Sequence, residues 1–126
     1  MGNTVRAPEP ASPGPLTIQA DDRSAVVVVS VAGEVDILTA PQMRAAVDDA
    51  VARLDGRTLV VDLSGVTFFG SPGLQILAVT ASRVREPGGA AGLRVVAAYA
   101  ALRPIRITGL GAVLRLYDTA EAALSG

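Results

Sequence analysis

In the run FFGSPGLQIL (68 to 77), Ser71 follows a glycine, precedes Pro72 and Gly73, and opens an amphipathic stretch. Three chemistries place a serine in such a setting: attack on a substrate, a cradle for bound phosphate, and acceptance of a phosphoryl group. Ser71-Pro72-Gly73 matches the end of the G-x-S-x-G nucleophile elbow, but Phe69 stands at the first glycine. Neither a histidine nor a lysine is there to take the serine proton, because there are 0 histidines and all 11 basic residues are arginine, charged at every relevant pH. The phosphate cradle fares no better: Gly70-Ser71-Pro72-Gly73 lacks the Gly-Lys-Ser/Thr ending that holds phosphates and magnesium. A second glycine pair, in GLGAVL (109 to 114), has Leu114 at the third position of G-x-G-x-x-G and reads as a helix end turning into a strand.

Two readings of Ser71 remain. In one it is an N-cap, with Pro72 at the first helical position. In the other its hydroxyl accepts phosphate, which would sit beside open backbone N–H groups at the positive end of the helix dipole and leave the helix folded. The added charge, about -1.5 to -2 near neutral pH, is repelled by nearby carboxylates or removed from an interface that cannot match its hydration.

Composition narrows the partners. A chain of 126 residues, 50% apolar, suffices for one domain with a real core. Its net charge of -1, with arginines spread from Arg6 to Arg115, gives no footprint for nucleic acid or an anionic membrane. With 0 cysteines and 0 histidines, disulfides, thiolate chemistry and the usual zinc ligands are excluded together, and no metal or cofactor is expected. MGNTVRAPEPASPGP has no apolar centre to act as a signal peptide, Arg6 breaks the myristoylation pattern, and no apolar run approaches the ~20 residues of a membrane span. A cytoplasmic protein is expected, with a protein or small-molecule partner.

The elements that must position Ser71 follow from hydrophobic spacing. Residues 1–15, with Pro8, Pro10, Pro13 and Pro15, read as a flexible tail before a domain at 16–126. LTIQA (16 to 20) and SAVVVVSVAG (24 to 33), separated by Asp21, Asp22 and Arg23, suggest a hairpin whose second strand is apolar on both faces and belongs inside a sheet. TAPQMRAAVDDAVARLDG predicts a helix with Met43, Val47, Ala50, Val51 and Leu54 on one side, a Thr39–Gln42 capping box, and an end at Gly56. TLVVDLSG (58 to 65) predicts a strand and SPGLQILAVTASRVR a helix with Leu74, Leu77, Ala81 and Val84 on its stripe, stopped by Pro87, Gly88 and Gly89. LRVVAAY (93 to 99) is the next strand, ALRPIRITG a short helix and AVLRLYD a last strand, before a helix capped at Asp118 with Glu121. This alternation means an α/β fold: a mixed, mostly parallel β-sheet with an initial hairpin and about four helices. Of the adjacent Phe68 and Phe69, one is expected in the core and the other on the surface.

GEVDILTAP (33 to 41), LVVDLSGVTFFGSPGLQIL (59 to 77), the Gly88-Gly89 turn and ALRPIRITGLGAVLRLYD (101 to 118) together resemble anti-sigma-factor antagonists of the STAS domain family, over roughly residues 16 to 124. The resemblance implies that Ser71 is phosphorylated by an anti-sigma factor with serine kinase activity, and that the unphosphorylated antagonist binds this factor and frees a sigma factor. Phosphorylation ends the binding, and a serine phosphatase resets it. It also implies a monomer or weak dimer without catalysis of its own, and a partner-binding set of Asp36, Thr39, Phe69, Gly70, Pro72, Gly73 and Leu74 around the acceptor. Here Gly70 stands where the family often has an acid, and Pro72 removes an N–H that a phosphate would use. The alternative is an unphosphorylated scaffold or small-ligand sensor on the same fold, with Ser71 as a cap.

Overall fold

A β-branched run that is apolar on both faces must be covered on both. The computed structural model, which describes residues 16–84 and 92–125, shows how Val26 to Val29 are covered. Strand β1 (Thr17–Asp22) turns tightly into β2 (Val26–Val35), and the two pair antiparallel from Thr17↔Ala32 to Asp22↔Val27. Strands β3 (Thr58–Phe69), β4 (Leu93–Val96) and β5 (Arg115–Tyr117) then add in parallel, giving a five-stranded sheet in the order β1-β2-β3-β4-β5. The expected mixed sheet with its initial hairpin is therefore observed.

Helices α1 (Ala40–Ala52) and α2 (Ser71–Arg83) cover one face. Met43, Val47, Ala50 and Leu54 meet Leu77, Ala81 and Val84 there, over Val27, Val29 and Val31. The short α3 (Leu102–Ile107) adds Ile105 to the same core. On the other face α4 (Ala120–Ser125) packs Ala123 against Val26, Val28, Val60 and Val96. Buried Arg94 secures α4 by donating from Nη1 to the Ala123 carbonyl at 2.8 Å. At the opposite edge Arg53 and Arg57 both pair with Asp22, tying the hairpin to the end of α1.

Several boundaries differ from the sequence reading. Asp21 and Asp22 lie in β1 rather than in the turn. β3 continues to Phe69 because two irregularities, between Ser30/Ala32 and Gly33/Glu34 of its partner, keep it in register with a β2 that runs to Val35. β4 ends at Val96, and a 3₁₀ turn at Leu110–Ala112 takes the start of the expected last strand. The helix α1 stops at Ala52, before Gly56. Thr119, not Asp118, caps α4, its Oγ1 accepting from the Ala122 N–H at 3.1 Å. The tail at 1–15 and the Pro87-Gly88-Gly89 stop lie outside the described residues.

Candidate functional site

Parallel strands deliver their following loops to one end of the sheet, where such folds keep their sites. The last β2–β3 pair is Val35↔Phe69, and Gly70 extends it by donating its N–H to the Val35 carbonyl at 2.9 Å. The β2–α1 turn, beginning at Asp36, and the start of α2 at Ser71 therefore emerge side by side.

Asp36 organises the first turn. Its Oδ1 accepts from the N–H of Leu38 at 2.9 Å and of Thr39 at 3.0 Å, and these bonds, that of Thr39 foremost, hold its carboxyl below the ordinary carboxylate range. Thr39 does stand at the N-cap of α1, but the capping box with Gln42 is not formed. Its Oγ1 donates to the Glu34 carbonyl at 2.7 Å and accepts from the Asp36 N–H at 3.0 Å, while Gln42 Nε2 reaches across to the Leu16 carbonyl at 2.9 Å. Both side chains are spent on tertiary bonds, leaving none for the helix end.

The second turn corrects the cap reading of Ser71. Gly70 is the N-cap of α2, Ser71 is the first helical residue, and no side chain caps the end. The Ser71 side chain is exposed and has no hydrogen-bond partner among the described residues. Gly73 is buried because a Cβ there would lie 2.6 Å from Phe69 Cε1 and 2.9 Å from Val35 Cγ1, so the glycine lets α2 seat on the sheet. Phe69 is itself 4% exposed. Neither residue offers a surface to a partner, which corrects their place in the expected contact set. Leu74 is half-buried and packs on the core; Gly70 and Pro72 are half-buried at the rim.

A groove of about 490 Å³ runs between α1 and α2, lined by Ile37, Pro41, Arg44, Asp48, Pro72 and Gln75 among others. Above it the β2–α1 turn exposes Ile37 and Leu38, at 78% and 86%. On β3 Phe68 is 53% exposed, its ring against Gly70. The Ser71 hydroxyl thus belongs to a loop end that carries exposed apolar side chains, as a protein-binding face does.

The Mlab, STAS domain family model matches residues 18–122. The chain belongs to the STAS domain family. This STAS domain is 39% identical over 118 residues to the anti-sigma-F factor antagonist RsfB of Mycobacterium tuberculosis, covering 92% of this chain and 93% of that protein. The crystal structure of an anti-sigma factor antagonist from Mycobacterium paratuberculosis is 43% identical, with a TM-score of 0.78 over 87% of this chain and 92% of that one. An anti-sigma-factor antagonist (STAS) domain protein of Planctomyces limnophilus shares the fold at 22% identity, with a TM-score of 0.66 over 86% of this chain and 96% of that one.

The STAS domain also carries features that sequence reasoning missed. Ile37 and Leu38 had a signal: an apolar pair between a strand end and a cap, with no periodicity to bury it. A larger cleft, about 930 Å³, lies beside α3 and is lined by Tyr99, Leu102, Arg103, Arg106, Ile107 and Asp118 among others. Tyr99 adopts a left-handed backbone (φ 50) with its side chain 90% exposed, and nothing in the run LRVVAAY signals this. No helix among the described residues is long and apolar enough to cross a membrane, and they contain no His/Cys/Asp/Glu cluster suited to a metal.

Proposed function

We propose that this protein is an anti-sigma-factor antagonist whose binding is switched by phosphorylation of Ser71. The observation that carries this reading is the unpartnered Ser71 hydroxyl at the end of α2, next to the turn exposing Ile37 and Leu38, in a chain 39% identical to a protein named as such an antagonist. Unphosphorylated, the face formed by Asp36, Thr39, Gly70, Pro72 and the half-buried Leu74, together with Ile37, Leu38 and Phe68, docks on an anti-sigma factor and frees its sigma factor. That anti-sigma factor, acting as a serine kinase, transfers the γ-phosphoryl group of ATP to Ser71 Oγ, with loss of the hydroxyl proton and release of ADP. The new charge must be desolvated against an apolar contact and lies near the Asp36 turn, so the complex separates. A serine phosphatase restores the hydroxyl. The antagonist itself catalyses nothing and acts in the cytoplasm as a monomer or weak dimer.

The cleft beside α3 favours a second reading, a scaffold or small-ligand sensor that binds its partner constitutively, with no phosphate on Ser71. Phosphopeptide mass spectrometry on the protein from its own cells under several growth conditions, with a Ser71→Ala strain as control, separates the two. Condition-dependent phosphate on Ser71 supports the switch; its absence, with that peptide well covered and phosphatases inhibited, supports the constitutive binder.

A further inference from the structure

A phosphate on Ser71 would find little support in the helix end itself. Of the backbone donors there, the Gly70 N–H is spent on Val35, those of Gly73 and Leu74 both turn back to the Gly70 carbonyl, at 3.0 and 3.3 Å, and Pro72 has none. The Ser71 N–H is what remains. A charge of about -1.5 to -2 at this exposed position is thus left to water and to any side-chain cation within reach.

The groove supplies one. Ile37 and Pro41 line it together with Pro72, and at its far end Arg83 Nη1 of α2 reaches Asp48 Oδ1 of α1 at 2.7 Å. The two helices thus run side by side with their N-termini together. Arg44 lines the same groove one turn beyond Pro41, and helical side chains lean toward the N-terminus of their helix, which carries Arg44 toward the level of Pro72 and Ser71. Arg23, Arg53, Arg57 and Arg83 are all in ion pairs; Arg44 has none among the described residues. The carboxylates around it are committed elsewhere: Asp48 to Arg83, and Asp36 to the N–H groups of its own turn.

Resting on the reading of Ser71 as the acceptor, we propose that Arg44 is the counter-charge of phosphorylated Ser71, and that their pairing closes the mouth of the α1–α2 groove. The guanidinium, idle while Ser71 carries a hydroxyl, makes a charge-assisted contact to the phosphate oxygens once they are there. Phosphorylation then acts twice on a docking partner: it adds a charge to the rim and draws a long side chain across the space between Ile37 and Pro72.

The test uses the full chain with phosphoserine installed at position 71 during translation, followed by ³¹P NMR through a pH titration at low salt. The second ionisation of the wild-type phosphate falls below that of Arg44→Gln by about half a pH unit, the scale of an exposed ion pair. Arg44→Lys keeps part of the shift, and high salt reduces it. Arg23→Gln, in the β1–β2 turn at the other end of the sheet and paired only with Asp21, leaves the phosphate where it is in the wild type. Equal midpoints for wild type and Arg44→Gln, or an equal displacement by Arg23→Gln, would overturn the assignment. Because the phosphate is installed without a kinase, this result is independent of whether cells phosphorylate Ser71, which mass spectrometry decides separately.

Discussion

Replacing Gly73 by alanine tests how the loop that presents Ser71 is held. A Cβ at this position would stand 2.6 and 2.7 Å from Phe69 Cε1 and Cζ and 2.9 Å from Val35 Cγ1, well inside van der Waals contact. Phe69 and Val35 are 4% and 0% exposed, so neither can swing into solvent to make room. Overpacking of this kind costs about 1–3 kcal/mol. The better helix propensity of alanine returns at most about 1 kcal/mol. A net loss of about 1–2 kcal/mol follows, which for a domain of this size lowers Tm by about 3–12 °C. Urea unfolding followed by circular dichroism measures it, with Gly111→Ala as control because a Cβ there meets only Leu116 Cδ1 at 3.4 Å. The same change in a Phe69→Leu background, where the ring is gone, should cost clearly less, since contacting residues couple. If Gly73→Ala leaves the midpoint unchanged, or costs as much in both backgrounds, the seating of α2 on Phe69 is not what the glycine is for.

Asp36 gives a prediction in pH. Its folded carboxyl is held low by the Thr39 and Leu38 N–H groups, so its contribution to stability is complete above the unfolded carboxylate value and is lost as pH falls through the lowered folded one. Acid titration of the urea midpoint should therefore fall less steeply for Asp36→Asn than for the wild type, and parallel curves would contradict this. Ile37→Ser, Leu38→Ser and Phe68→Ala remove exposed side chains, so each should shift stability by no more than about 0.5 kcal/mol. At least one should weaken binding to the anti-sigma factor more than tenfold in titration calorimetry; undiminished affinity in all three would move the docking face elsewhere.

The sequence made the sheet legible because its signals were redundant: a valine run too apolar for an edge, two stripes at helical spacing, and strands alternating with helices. Caps were less legible, since short polar side chains have several partners within reach. Thr39 and Gln42 satisfy a capping-box pattern, yet their bonds go to the Glu34 and Leu16 carbonyls, which only the tertiary fold brings near. Ser71 looked like a cap for the same reason, and the extension of β3 to Phe69 moved the cap to Gly70 and left Ser71 its exposed hydroxyl. Adjacent phenylalanines must point to opposite faces, but which of them is buried depended on the irregular pairing of β2 with β3. The position of Ser71 was thus readable from local sequence, while the surface around it, made by Ile37, Leu38, Phe68 and Arg44, came from the meeting of two loops distant in the chain.

The central claim is tested most directly by titrating the protein, with Ser71 unmodified and with phosphoserine at 71, into each purified anti-sigma factor of its own organism that carries a serine kinase domain. The account predicts that one of them binds the unmodified chain and the Ser71→Ala variant alike, and loses the phosphorylated chain and Ser71→Asp. Equal affinity for the unmodified and phosphorylated forms would contradict it.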